Sequence, residues 1–208
     1  MNASLIIGHA NPGSFSHAMA ESATSVLNRL GWSVYAYDLY GEKFDPVLRE
    51  AEAANFTSTD PLVEQHCIEI TDADLILIFH PNWWGQPPAI LKGWIDRVLR
   101  PGVGYNYEDG SPAEEPVGLL KAQAALVFNT SNTPWERELA IFGNPLETLW
   151  KNCVFGFCGV TRFDRRVFGP MAGATPAQRT AWLAEVRSVV EQYASIHPTR
   201  MPQCLRKS

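Results

Sequence analysis

Three short stretches of the chain gather residue types able to hold a flat, phosphorylated ligand. The first is Gly8-His9-Ala10-Asn11-Pro12-Gly13-Ser14-Phe15-Ser16, small and hydrogen-bonding residues that run into a helical pattern. A helix N-terminus offers unpaired N–H groups and the positive end of the macrodipole, which favour an anion such as phosphate. Ser14 and Ser16 add hydroxyl donors. Serines also cap helices that bind nothing, so capping and phosphate binding both fit. The segment has neither G-x-G-x-x-G nor G-x-x-x-x-G-K-[ST], which sets aside a dinucleotide fingerprint and a P-loop. The second stretch is His80-Pro81-Asn82-Trp83-Trp84-Gly85-Gln86-Pro87-Pro88. Adjacent tryptophans after an apolar run can stack on a flat ring while turn amides bond its heteroatoms; alternatively, one packs inward and the other covers a loop. The third is Asn129-Thr130-Ser131-Asn132-Thr133-Pro134, a polar turn able to bind carbonyl and nitrogen edges, or simply to cap the next helix.

The elements that must position these stretches alternate. Strand patterns fall at Ser4–Gly8, Ser33–Leu39, Asp74–Phe79, Ala124–Phe128 and Thr161–Phe168, and the third and fourth have the continuous apolar character of buried parallel strands. Helical periodicity covers Ser14–Leu30, Pro88–Leu99 and Leu146–Phe157. Thr175-Pro176-Ala177-Gln178 reads as a capping box with proline in the first turn, opening a helix to about Tyr193. Glu42–Cys67 is less regular, with a helix or two among loops. Alternating β and α implies a parallel sheet covered on both faces, with ligands beyond the carboxyl ends of its strands. The three stretches lie at such ends.

The 208 residues suit one doubly wound domain over 1–208, with a loosely held polar tail from His197. A hydrophobic content of 46% is enough for a substantial core, and a net charge of −5 argues against a nucleic-acid binder. The opening residues show no signal peptide and no run reaches the length of a membrane helix, so a cytoplasmic protein is expected. Cys67, Cys153, Cys158 and Cys204 form no C-x-x-C and read as free thiols. No metal site is expected.

Taken together, the segments resemble the flavodoxin-like NAD(P)H:quinone oxidoreductase family. Pro88-Ala89-Ile90-Leu91-Lys92-Gly93-Trp94-Ile95-Asp96-Arg97-Val98 is similar to the family's P-A-I-L-K-G-W-x-[DE]-R-V signature, Gly104-Tyr105-Asn106-Tyr107 to its aromatic loop, and His9-x-x-Pro12-x-Ser14-Phe15-Ser16 to its H-x-x-P-x-S-F-N. The resemblance implies an α/β flavodoxin-like three-layer sandwich with a central five-stranded parallel sheet. It also implies FAD or FMN as cofactor, NAD(P)H as hydride donor, a quinone acceptor, ping-pong turnover and a homodimer. His9, Ser14, Phe15 and Ser16 would hold the phosphate and ribityl part, and Pro81, Asn82, Trp83 and Trp84 would line the flavin ring. Thr130, Ser131 and Asn132 would hold its pyrimidine edge. Trp84, Tyr105 and Tyr107 would line the acceptor pocket, the tyrosines often from the partner subunit.

The mammalian-type pattern has two glycines after the threonine, then a tyrosine and a histidine. Here Ser131 and Asn132 stand for the glycines, and by spacing Arg137 and Gly143 fall where the tyrosine and histidine would be. Arg137 is therefore the candidate catalytic residue: a cation at the pyrimidine edge would stabilise the anionic reduced flavin. A surface arginine paired with Glu136 or Glu138 is the alternative. Arg162, Arg165 and Arg166 are candidates for a 2′-phosphate contact or a solvated face, and Asn55–His66 is where an adenine cradle would fall. Two other functions fit the same fold: an ancillary flavin-binding subunit of a potassium-efflux system, and a one-electron flavodoxin carrier.

Overall fold

The computed structural model describes residues 1–107 and 115–195; the tail from His197, including Cys204, lies outside them. The central strands are β1 (Asn2–Ile7), β2 (Ser33–Asp38), β3 (Leu75–Pro81), β6 (Ala124–Thr130) and β7 (Phe163–Phe168), all parallel in the order β2-β1-β3-β6-β7. This is the expected five-stranded doubly wound sheet. A two-stranded ribbon of β4 (Tyr105–Asn106) and β5 (Val117–Gly118) was not legible as strand, being too short to show alternation.

The buried strands alternate between two cores. Leu5, Leu75, Leu77, Phe79, Leu126 and Phe128 point to one face, where α1 (Phe15–Arg29) and α7 (Pro176–Ala194) cover them. Ile6, Ile76, Ile78, Ala125 and Val127 point to the other, covered by α3 (Pro61–Thr71) and α4 (Ala89–Val98). This period of two forces a three-layer arrangement. The irregular stretch after β2 holds α2 (Glu50–Asn55) and α3.

Two boundaries matter for the site. β3 and β6 run on to Pro81 and Thr130, past the expected ends at Phe79 and Phe128, because His80 pairs with Asn129 and Pro81 with Thr130 in register. Beyond β6 come α5 (Trp135–Arg137), a π-helical turn Glu138–Phe142, α6 (Pro145–Thr148) and a π-helical stretch Leu149–Gly156. A single amphipathic helix over Leu146–Phe157 is therefore not formed. The wider π turn rotates the buried face, so Phe155 goes inward and Cys153 outward.

Candidate functional site

The ends of β1, β3 and β6 meet at a cavity of about 990 Å³. The loop after β1 builds one end through its own short hydrogen bonds. Asn11 N–H donates to His9 Nδ1 (3.0 Å), Gly13 N–H to Asn11 Oδ1 (2.9 Å) and Ser14 N–H to the Asn11 carbonyl (3.0 Å). Ser14 is the N-cap of α1, accepting from His17 N–H. Its Oγ also lies 2.9 Å from His17 Nδ1, while His17 Nε2 reaches Asp38 Oδ2 at 3.2 Å. The first-turn amides of α1 beyond the cap point toward the loop, as at any helix N-terminus. Burial, then the neighbouring His17, lower the pKa of His9. Arg179, from the first turns of α7, lines the same cavity and brings a cation to it.

The loop after β3 builds the other end. His80 is fully buried. Trp150 Nε1–H donates to His80 Nε2 at 3.0 Å, so the ring proton sits on Nδ1 and donates to the Pro81 carbonyl at 2.8 Å. Burial holds this imidazole neutral, its pKa lowered to about 4. Asn82 N–H donates to the Thr130 carbonyl at 2.7 Å, tying the second loop to the third. Trp83 and Gln86 then exchange backbone bonds at 3.0 Å around Trp84 and Gly85, whose φ values are +57° and +71°. Positive φ at both central residues is a tight primed turn. Gly85 is required there twice over, since a Cβ would come within 2.9 Å of Pro145. The turn leaves Trp83 43% and Trp84 99% exposed; neither indole is core.

The third loop is locked by Ser131, whose N–H donates to the Phe168 carbonyl and whose own carbonyl accepts from Met171 N–H, each at 3.0 Å. Ser131 Oγ accepts from Thr133 N–H, and Asn132 Oδ1 from Ala172 N–H. The far wall comes from Glu138, Ile141, Phe142 and Pro145.

His9, Ser14, Phe15, Pro81, Asn82, Trp83, Trp84, Thr130, Ser131 and Asn132 thus line one cavity. Ser16 does not: it is fully buried, and its Oγ has no partner. Tyr105 lines a separate cavity of about 380 Å³ with Ile95, Cys153 and Phe157, and Tyr107 packs edge-on against it. Arg137 is exposed, its guanidinium 5.9 Å from the Phe142 ring centre, and is not among the cavity-lining residues. Arg165 is neither a 2′-phosphate contact nor a solvated residue. Its guanidinium is buried and bonds Glu147 Oε2 (3.0 Å), Asn129 Oδ1 (2.7 Å) and Asn144 Oδ1. Arg166 pairs with Asp164, and Arg162 lies over the Tyr193 ring. Asn55–His66 does not line the cavity. Burial raises the thiol of Cys67 to about 11 and that of Cys158 to about 12, so neither is poised as a nucleophile.

Sequence reasoning missed Glu138 and Arg179. Glu138 stands in a π turn, where helical spacing gives no guide to facing. Arg179 comes from a helix remote in sequence, and only the fold brings it here.

The family model described as flavodoxin-like fold matches residues 1–192. An uncharacterised NAD(P)H oxidoreductase of Haemophilus influenzae is 34% identical, with 81% of this chain and 84% of that one aligned. The chain belongs to the flavodoxin-like NAD(P)H:quinone oxidoreductase family. Within it, NAD(P)H dehydrogenase [quinone] 1 of Cavia porcellus is 30% identical over 86% of this chain and 72% of that protein. The solved NAD(P)H:quinone oxidoreductase of Methanothermobacter marburgensis superposes with a TM-score of 0.78 at 23% identity, over 92% of this chain and 98% of that one. That likeness supports the flavodoxin-like fold. Among the described residues, no helix is long and apolar enough to cross a membrane and no cluster of metal-ligating side chains occurs.

Proposed function

We propose that the protein is a flavin-dependent NAD(P)H:quinone oxidoreductase that takes a hydride from NAD(P)H and passes it to a flat acceptor in one cavity. The observation that carries this reading is the polarity of the cavity: anion-binding groups at one end and exposed indoles at the other. The family relatives named for NAD(P)H and quinone support the two substrates.

The residues present fit a flavin. The cavity lies at the upper end of the size range of small-molecule sites, about 300–1,000 Å³. Ser14, the α1 N-terminus and Arg179 suit the phosphate that FMN and FAD share. Trp83, Trp84 and the backbone of Pro81 and Asn82 suit the flat ring, and Thr130 and Ser131 suit its polar edge. The flavin supplies reversible hydride storage. The protein would hold it with Ser14, backbone amides and the Arg179 cation, keeps the loops fixed through His80 and Asn82, and leaves one open face for a second flat molecule. Donor and acceptor would take that face in turn, giving ping-pong kinetics.

Apolar side chains on this cavity are open to solvent: Trp84, Ile141 and Phe142 line it and are exposed, as are Trp135 and Leu139 on the same segment of chain. Such a patch suits a second copy of the chain, which would also bring Tyr105 and Tyr107 toward the acceptor.

The test is a visible spectrum of the purified protein, followed by NAD(P)H and then menadione. Bound flavin that bleaches with NAD(P)H and recovers with the quinone is the expected result. Absence of flavin binding, even after added FMN or FAD, would contradict the reading.

A further inference from the structure

A quinone that accepts a hydride also needs a proton, and the cavity holds one carboxyl group able to supply it. Among the described residues that line the cavity, Glu138 is the only acid. It is 4% exposed, although Leu139, Ile141 and Phe142 beside it are exposed. Its orientation is set by Asn82. Gly85 N–H donates to Asn82 Oδ1 at 3.0 Å, which leaves the amide nitrogen to face Glu138, and Nδ2–H donates to Glu138 Oε1 at 3.2 Å. The carboxyl is thereby fastened through one oxygen to the loop that carries Trp83 and Trp84. Among the described residues, no cation pairs with it. Arg137 lies over Phe142, and Arg165 is engaged by Glu147, Asn129 and Asn144. The remaining ionisable groups of the cavity are His9, on the loop after β1, and Arg179, on α7. An acidic side chain, not the neighbouring Arg137, therefore faces the cavity from this segment.

We infer that Glu138 is the proton-exchanging residue of the site, an assignment that rests on the quinone-reductase reading. NAD(P)H supplies the hydride, carried over by the flavin. As the hydride reaches the quinone, the Glu138 O–H bond breaks and a new O–H bond forms on the quinone oxygen. The products are the hydroquinone, NAD(P)⁺ and the Glu138 carboxylate, which regains its proton from water.

Glu138→Gln keeps the size and the acceptor for Asn82 but removes the transferable proton. The parent protein is assayed first for flavin uptake; failure there overturns the cofactor reading and this assignment with it. Given uptake, we expect Glu138→Gln to bind flavin with parent-like affinity. The midpoint potential of the bound flavin stays near the parent value, because Glu138→Gln exchanges one uncharged group for another. Single-turnover reoxidation by menadione slows by roughly 10²–10⁴-fold, the range of general acid–base contributions. Glu138→Asp recovers part of that rate. Parent-level reoxidation in flavin-loaded Glu138→Gln would overturn the inference. So would an upward shift of that potential in Glu138→Gln, which would mark the parent group as a carboxylate with no proton to give. So would equal loss in the Gln and Asp variants or loss of flavin from both, which would mark a structural support.

Discussion

The signature helix and the cavity wall divide the molecule's work. α4 carries the stretch most specific to the family, yet none of Ala89–Val98 lines the cavity. Its Trp94 donates Nε1–H to buried His66 at 2.9 Å, and its buried Arg97 bonds Glu52 through Nε (3.0 Å) and Nη2 (2.7 Å) and the Asp45 carbonyl through Nη1 (2.6 Å). Gly93 is needed because a Cβ would overlap Pro46. The helix is thus a fastening between α2, α3 and the sheet. The cavity wall, by contrast, is made mainly of turns and a π-helical segment, with exposed Trp83, Trp84, Ile141 and Phe142 beside buried Thr130, Ser131 and Glu138. The longest family-like stretch stabilises the frame, while the shorter motifs after β1, β3 and β6 face the cavity.

Substitutions at the two regions should therefore give opposite signatures. The largest effect is expected at Arg97→Met. Removing one partner of a buried ion pair leaves Glu52 uncompensated, at a cost of about 3–5 kcal/mol. Denaturant unfolding should show that loss, while the flavin spectrum of the folded fraction stays parent-like. If stability is unchanged, α4 is not the fastening described.

The same pair sets an acid limit. The Arg97 hydrogen bonds, opposed by burial, hold the Glu52 carboxyl down to about 2 from an ordinary 4.5. Between those values the unfolded chain binds more protons than the folded one. This contribution is complete above pH 4.5 and lost as pH falls toward 2. Buried His80, lowered to about 4 from 6.5, has the same sign and begins to weaken the fold below pH 6.5. Unfolding free energy measured against pH should fall in two stages, and Arg97→Met should flatten the lower one.

On the wall, Arg179→Ala should weaken flavin binding by about 10–100-fold, since hydrogen bonds to charged groups contribute roughly 1.5–3 kcal/mol. A fluorescence titration checks this, with unfolding free energy expected to stay within about 0.5 kcal/mol. Trp84→Ala should cost several-fold to about tenfold in acceptor affinity, from about 0.5–1.5 kcal/mol of aromatic stacking. The chain's own stability should hardly change, because this indole touches little of it. The smallest effect is expected at Arg137→Ala: a guanidinium outside the cavity lining should leave flavin reduction at the parent rate. A slowed reduction would return Arg137 to the site.

Much of this division could be read from the sequence. The short, continuous apolar run Asp74–Phe79 suits a strand covered on both faces, which β3 is, and Thr175-Pro176-Ala177-Gln178 forms the capping box its residues specify. Ser14 caps α1 and also faces the cavity, so both readings of that serine hold at once. The segment after Pro134 was not legible. Alignment by spacing put Arg137 at the site, but two π-helical turns break the period on which spacing arguments rest, and Glu138 faces inward instead. Ser16 was expected at the phosphate, yet the helix turns it into the core. Tyr105 belongs to a ribbon that lines a separate cavity, with Tyr107 just beyond the strand packed against it, a separation that no local pattern encodes.

The central claim is that one cavity, made by three strand ends, serves donor and acceptor in turn. Initial rates of the flavin-loaded protein over a grid of NAD(P)H and menadione concentrations test it most directly. Parallel lines in the double-reciprocal plot are the result this account requires. Lines that intersect would mean that both substrates are bound together, and would contradict the single shared face.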